Sequence, residues 1–359
     1  MFVKQRNKTR RIQVGAVSVG QGAPISVQSM TNTYTHDISA TVSQIKRLES
    51  AGCEIVRVAV PDEKSARAIS LIKRQISIPL IADIHFDHRL AIASLQEGAD
   101  GLRINPGNIG SAQKVKAVIN CAKDMDVSIR IGVNAGSLEK DILKKFGKVT
   151  PEAMVESAIR HIDLITSLGF DQIKISIKAS DVIRTVEAYR LLSSLTDFPL
   201  HVGVTEAGSL YSGIVKSSLG IGTLLAEGIG DTIRVSLTRD PVEEVRVGYE
   251  ILKALGLRQR GPEIISCPTC GRCNIDLFGI VEDVEKALMT SLIPAKIAIM
   301  GCVVNGPGEA REAEIGIAGG DGVGVLFKRG KVIKKIPQEK LVEVLVKEVE
   351  LLEKERKYC

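Results

Sequence analysis

Eight short runs rich in β-branched and apolar residues recur along the first two-thirds of the chain. Each is followed by a stretch with helical spacing, and this alternation limits the possible folds more than any other feature. The runs are ISVQSM (25–30), EIVRVAV (54–60), PLIADIHF (79–86), GLRINPG (101–107), SIRIGVN (128–134), QIKISIKAS (172–180), LHVGVTEAG (200–208) and DTIRVSL (231–237). Their near-continuous apolar character suits strands buried on both faces. The intervening segments, such as HDISATVSQIKRLESAG and PEAMVESAIRHIDLITSLG, space their apolar residues three and four apart. Thr150–Pro151 and Asp240–Pro241 have the form of an N-cap followed by proline in the first turn. Gly52, Gly98, Gly169 and Gly256 stand where helix C-terminal glycines belong. Eight βα units predict a TIM (β/α)8 barrel. The rival architecture, a doubly wound sheet, carries a glycine-rich phosphate loop after an early strand, and none is evident there.

The alternation stops after Gly256. The remainder reads as a linker or short strand (GLRQRGPEIIS), the cysteine-bearing CPTCGRC, a helix over roughly 276–290, a strand at AKIAIMG, a glycine-rich turn region, two short strands in VGVLFKRGKVIKKI and a charged amphipathic helix. The expected organisation is therefore a barrel over 1–258 and a small α+β domain over 259–359. No apolar run approaches the ~20 residues of a membrane span. The basic start, MFVKQRNKTRRIQVG, lacks the apolar stretch of a signal peptide. A cytoplasmic protein with no membrane partner is expected. A net charge of +6 with 3% aromatic residues and no Trp also argues against a nucleic-acid surface, which interleaves bases with aromatic side chains.

In a barrel of this kind, polar residues at the C-terminal ends of the strands converge on one mouth. Reading the ends in order gives Arg57, then Asp83 and His85, Arg103 and Asn105, Arg130 and Asn134, Lys178, Glu206, and Arg234 with Ser236. One arginine in a strand is as readily half of a structural ion pair. Four arginines and a lysine are hard to satisfy by internal pairing alone, because unpaired buried cations cost several kcal/mol each. A bound anion removes that cost, and guanidinium forks match phosphate oxygens. The mouth is expected to bind a multiply charged phosphate ester. Asp83, His85 and Glu206 are its acid/base candidates: His85 shares a strand face with Asp83, and a carboxylate among cations stays ionised.

Seven cysteines are present. Cys53 and Cys121 sit alone in apolar contexts and read as small buried hydrophobes. Cys267, Cys270 and Cys273 form C-x2-C-x2-C, and Cys302 follows in GCVVNGPGE. Four thiolates at such spacing suit zinc or an iron–sulfur cluster, and spacing does not separate the two. Glycines at 301, 306 and 308 with Pro307 make a tight turn that brings Glu309 towards Cys302, although spacing alone favours reading Glu309 as a solvated loop acid.

The segments ADIHF, LRINPGNIG, HVGVTEAG, EGIGDTIRVSLTRDPVEEV, SCPTCGR and IMGCVVNGPGEA closely resemble the bacterial 4-hydroxy-3-methylbut-2-enyl diphosphate synthases of the non-mevalonate isoprenoid pathway. The resemblance runs from about residue 4 to the C-terminal helix, and GCVVNGPGE is its most specific part. It implies a [4Fe–4S] enzyme that opens a cyclic diphosphate, 2-C-methyl-D-erythritol 2,4-cyclodiphosphate, using two electrons from flavodoxin or ferredoxin and releasing water. It also implies Cys267, Cys270, Cys302 and Glu309 as cluster ligands. Cys273 departs from the family's pattern and is a possible competitor for Glu309's place. The linker after the eighth helix, about ten residues or ~35 Å fully extended, would have to climb the barrel wall to reach its own mouth. A head-to-tail homodimer, in which the cluster of one chain serves the barrel of the other, is the simpler expectation and agrees with the resembling family. A cluster-dependent dehydratase without net electron transfer, or a barrel with a structural zinc module for binding a partner, are the alternative readings.

Overall fold

A computed structural model describes residues 2–302, 312–320 and 322–357. The chain divides into two compact units, Met1–Arg258 and Gln259–Cys359.

The first unit opens with an antiparallel hairpin, β1 (Arg11–Val14) and β2 (Val17–Gly20). Eight parallel strands follow: β3 (Ser26–Met30), β4 (Ile55–Ala59), β5 (Leu80–Asp83), β6 (Gly101–Ile104), β7 (Ser128–Asn134), β8 (Ile173–Lys178), β9 (His201–Val202) and β10 (Thr232–Ile233). Each neighbours the next in sequence, β10 pairs with β3, and a parallel bridge between Ile175 and Leu200 joins β8 to β9. The ring is the expected TIM-type barrel. All eight expected runs contribute, but the last two pair over only two residues each and then continue as the loops that carry Glu206 and Ser236.

Helix boundaries follow the expected local chemistry. Thr150 accepts from the Ala153 amide ahead of Pro151, and Asp240 accepts from the Val242 amide ahead of Pro241. Gly52, Gly98, Gly169 and Gly256 all adopt positive φ, where a side chain would be strained. The hairpin went unrecognised in the sequence. Its Ile12, Val14 and Val19 pack on Ile55 and Ile81, near the starts of β4 and β5, and so plug the barrel floor. Two four-residue strands, of which only β1 alternates exposed and buried positions, are too short to stand out by periodicity.

The second unit is a five-stranded mixed sheet in the order β11 (Glu263–Ser266), β12 (Lys296–Met300), β13 (Ile315–Ala318), β14 (Val323–Lys328) and β15 (Lys331–Pro337). The first three strands are parallel and the last three antiparallel. The helices Leu277–Ala287 and Leu341–Lys357 bury Leu277, Val284, Leu341, Leu345 and Val349 against Ile297, Ile299, Ile315 and Ile317. The glycine-rich stretch read as a turn contains β13. Gly316 is required there because a Cβ would meet both the Ala298 carbonyl and the Phe327 ring, so close packing explains a glycine that looked like a turn signal.

Candidate functional site

Two residues at the C-terminal end of each barrel strand decide the mouth, because inward-facing positions alternate along a strand. On β7 and β8 the register pairs Arg130 with Lys174 and Asn134 with Lys178, so these four share the inner face. Two glycines make room for long cations on that face. A Cβ on Gly132 would lie 2.6 Å from Arg103 Nε, and one on Gly203 would lie 2.7 Å from Lys178 Nζ and collide with the Arg234 carbonyl. Neither glycine was singled out in the sequence. A lone glycine inside a strand at an inward position is the signal that would have found them.

Internal pairing goes further than the sequence suggested. Asp83 is buried and shared between two arginines, with Oδ2 3.4 Å from Arg57 Nε and Oδ1 3.2 Å from Arg103 Nη1. Arg57 Nε also lies 3.1 Å from Met30 Sδ. With its amide oxygen turned towards Arg103, Asn134 accepts from Arg103 Nη2 at 3.2 Å. Arg234 is held by Glu244 of the helix Pro241–Ala254 at 3.2–3.3 Å, and Glu244 also accepts from Ser29 Oγ and the Leu237 amide. Glu244 lies in DPVEEV, where an acid near a helix start reads as dipole compensation. Its burial at 3% exposure is what reveals the second role. Three of the five mouth cations are therefore paired, so internal pairing is substantial but incomplete.

Arg130 and Lys178 are different. Both are buried, and neither has an ion-pair partner among the described residues. Burial, and after it the neighbouring cations, push both well below their ordinary pKa ranges. Arg57 is pushed down to about 10, by burial first, with Asp83 opposing. Burial acts to raise the Asp83 carboxyl, but Arg57, Arg103 and Arg130 outweigh it and hold the group below the usual carboxylate range. Five basic side chains thus face two carboxylates in one concavity, a strong anion trap.

The other expected site residues are less committed. His85 is exposed, with Nδ1 3.9 Å from Asp83 Oδ1. Asn105 is spent on local structure: Oδ1 accepts from the Gly107 amide and Nδ2 donates to Ser137 Oγ at 3.2 Å. Ser236 is half-buried on the loop after β10. Glu206 is exposed and has φ of +50°, a left-handed conformation unusual for a residue other than glycine, asparagine or aspartate.

Asp83→Asn should destabilise the chain by about 3–5 kcal/mol, because two buried guanidinium groups lose their common counter-charge. Inorganic diphosphate should recover more of the melting temperature in the variant than in the wild type. Equal melting temperatures without ligand would mean that the arginines do not depend on Asp83. The sign of the pH dependence follows from the lowered carboxyl. This stabilisation is complete above the unfolded pKa near 4 and is lost as pH falls through the folded value.

In the second unit, Cys267 follows β11 and Cys302 lies two residues beyond β12, at neighbouring C-terminal ends of parallel strands paired at Ser266 and Ile299. The Gly301 amide donates to Cys267 Sγ at 3.4 Å. Cys273 donates to the Ile275 carbonyl, and a Cβ on Gly301 would lie 2.5 Å from its sulfur. Cys270 is exposed on the connecting turn. Glu309 lies outside the described residues, and among the described residues no three His, Cys, Asp or Glu side chains are gathered for a single metal ion. Thiols presented at adjacent strand ends, one of them already accepting an amide hydrogen bond, suit zinc or an iron–sulfur group. Cys53 is buried, as expected, with its thiol raised to about 12 by burial above all, whereas Cys121 is only half-buried.

Known proteins match this chain along nearly its whole length. A family model described as the GcpE TIM-barrel domain matches residues 9–249, and one described as the GcpE protein C-terminal domain matches residues 263–351. A 4-hydroxy-3-methylbut-2-en-1-yl diphosphate synthase (flavodoxin) of Caldanaerobacter subterraneus subsp. tengcongensis is 60% identical over 354 residues, covering 99% of this chain and all of the relative. The protein of that name from Geobacter sulfurreducens is 60% identical over 96% of this chain and 97% of its own length. The one from Bacillus cytotoxicus is 55% identical over 98% and 95%. With both family models matched in order, this chain belongs to the GcpE family.

Proposed function

We propose that this chain catalyses the reductive ring opening of 2-C-methyl-D-erythritol 2,4-cyclodiphosphate to 4-hydroxy-3-methylbut-2-enyl diphosphate, a step of isoprenoid precursor synthesis. The observation that carries this reading is 60% identity, end to end, with a relative named for forming that product. The barrel mouth supports it independently, since Arg130 and Lys178, buried and without carboxylate partners among the described residues, favour a multiply charged anion.

Arg130 and Lys178 bind the diphosphate from below. Arg57 and Arg103, held apart by Asp83, present their guanidinium groups to its oxygens, and Arg234 does so from Glu244. Asn134 keeps Arg103 in place, and Ser236 and Asn105 complete the polar wall. Glu206 delivers the proton that lets the hydroxyl leave as water, with His85 as a second proton carrier beside Asp83. Cys267, Cys270, Cys302 and Glu309 would hold a [4Fe–4S] cluster, which when bound would supply the two electrons one at a time. Cys273, beside Gly301, stays out of the ligand set. A flavodoxin or ferredoxin is the electron donor, and the cytoplasm is the compartment. Among the described residues, no helix is long and apolar enough to cross a membrane.

The working assembly is a head-to-tail homodimer in which the barrel of one chain receives the cluster domain of the other. In support, three aromatic side chains beyond the C-terminal ends of barrel strands, Tyr34 and Phe86 on loops and Tyr211 in the first turn of the helix Leu210–Ala226, are 70–83% exposed, as side chains that a partner covers would be.

Metal and sulfide content after anaerobic purification tests the reading. About four irons and four sulfides per chain are expected, with two equivalents of one-electron reductant oxidised per substrate opened. Stoichiometric zinc without sulfide would overturn it in favour of a structural metal module. Turnover without oxidation of the reductant would favour a dehydratase.

A further inference from the structure

TIM-barrel interiors are usually filled by layers of branched apolar side chains. This one has an apolar floor, where Ile55 and Ile81 meet the hairpin, but the layer above it is polar. Lys174 of β8, His201 of β9, Thr232 of β10, and Gln28 and Ser26 of β3 are all buried. Among the described residues, Lys174 Nζ, both ring nitrogens of His201, both amide atoms of Gln28 and the hydroxyls of Ser26 and Thr232 have no hydrogen-bond partner. The register places Lys174 opposite Arg130, and His201 opposite Thr232. Lys174 lies two inward steps below Lys178 on the same strand, with Ser176 between them. The polar layer is therefore level with Arg130 and lies beneath Lys178, the two unpaired cations of the mouth.

We propose that Lys174 takes up a proton from solvent when a diphosphate fills the mouth, and so acts as a further anion-binding residue from beneath the site. The proposal rests on the anion-binding reading of the mouth.

The charged and titratable groups around Lys174 are all basic on the adjoining strands: Arg130 on β7, Lys178 on β8 itself and His201 on β9. Asp83, the carboxylate of this side of the interior, is already shared by Arg57 and Arg103. A buried amine with cationic neighbours and no carboxylate has little reason to keep its proton. Burial, then Arg130, bring Lys174 down to about 7. Burial and the surrounding cations keep His201 well below its ordinary value, so it remains neutral and does not compete for the proton. An anion at the mouth reverses the local field and favours the ammonium form, with one N–H bond formed and one proton drawn from bulk.

Lys174→Met tests this in the full-length chain. Methionine matches the length of the lysine stem and buries no unpaired amine, a change that buried sites commonly tolerate. Binding of inorganic diphosphate is measured by calorimetry from pH 6 to 9. At pH 6 Lys174 is protonated with or without ligand, so the wild type should bind about tenfold tighter than the variant for a one-unit rise in pKa. At pH 9 the amine is neutral in both states and the two affinities should converge. Near pH 7.5, comparing buffers of different ionisation enthalpy, the wild type should take up roughly half a proton more per diphosphate than the variant. Lys174→Gln serves as the second neutral variant should methionine prevent folding. An affinity ratio constant across this range, or equal proton counts, would overturn the role of Lys174 while leaving the mouth an anion site. Absence of diphosphate binding to the wild type would overturn the anion site and this proposal together.

Discussion

Glu206→Gln is expected to lower kcat by roughly 10²–10⁴-fold while leaving the affinity for diphosphate nearly unchanged, the range associated with losing a positioned proton donor. The expectation joins two observations. The carboxylate is the acid on the loop that continues β9 into the mouth, and its backbone is held at φ of +50°. A side chain in that region costs of order 1–3 kcal/mol and persists where the surrounding structure dictates it. Glutamine keeps the shape and the strain but cannot donate the carboxylic proton. Glu206→Gly separates the two effects, since it relieves the backbone and removes the acid. It should be at least as stable as the wild type and equally inactive. Steady-state kinetics with a reduced donor, alongside diphosphate binding, provide the check. A loss in kcat smaller than tenfold would remove Glu206 from proton transfer.

The second large effect is a gain. Cys302→Ser and Glu206→Gln should each be nearly inactive alone, the first for want of a cluster ligand and the second for want of the acid. Mixed in equal amounts and allowed to exchange subunits, they should recover about a quarter of wild-type activity. Random pairing makes half of the dimers mixed, and in each of these one site joins an intact barrel to an intact cluster domain. Iron content and subunit exchange, followed by mass spectrometry, control for the trivial failures. Mixed dimers that form, carry cluster on the Glu206→Gln chain and remain inactive would place barrel and cluster of one site on the same chain.

Much of the barrel was legible because its determinants are local. Buried parallel strands need near-continuous apolar runs, helices need a 3.6-residue period, and the ends of both need caps, prolines and glycines that can be read in place. Those signals located all eight barrel strands and the final helix. Where local signals conflict, the reading fails. Gly316 resembled a turn residue because its reason for being glycine is the Phe327 ring, eleven residues away and on another strand. The β1–β2 hairpin was missed because its burial depends on Ile55 and Ile81, which nothing in its own eight strand residues reveals.

The candidate site divides along the same line. By itself the sequence determined the (β/α)8 class, the convergence of Arg57, Arg103, Arg130, Lys178 and Arg234 on one mouth, and membership of the GcpE family. Period-two alternation and fixed strand direction suffice for the first two. Only the tertiary structure decided which of those cations are neutralised. Asp83 serves Arg57 and Arg103, and Glu244 reaches Arg234 from a helix, whereas Arg130 and Lys178 have no acid of their own among the described residues. Charge compensation acts over a few ångströms in space and takes no account of separation along the chain. A list of charged residues in order therefore does not say which one is waiting for a ligand.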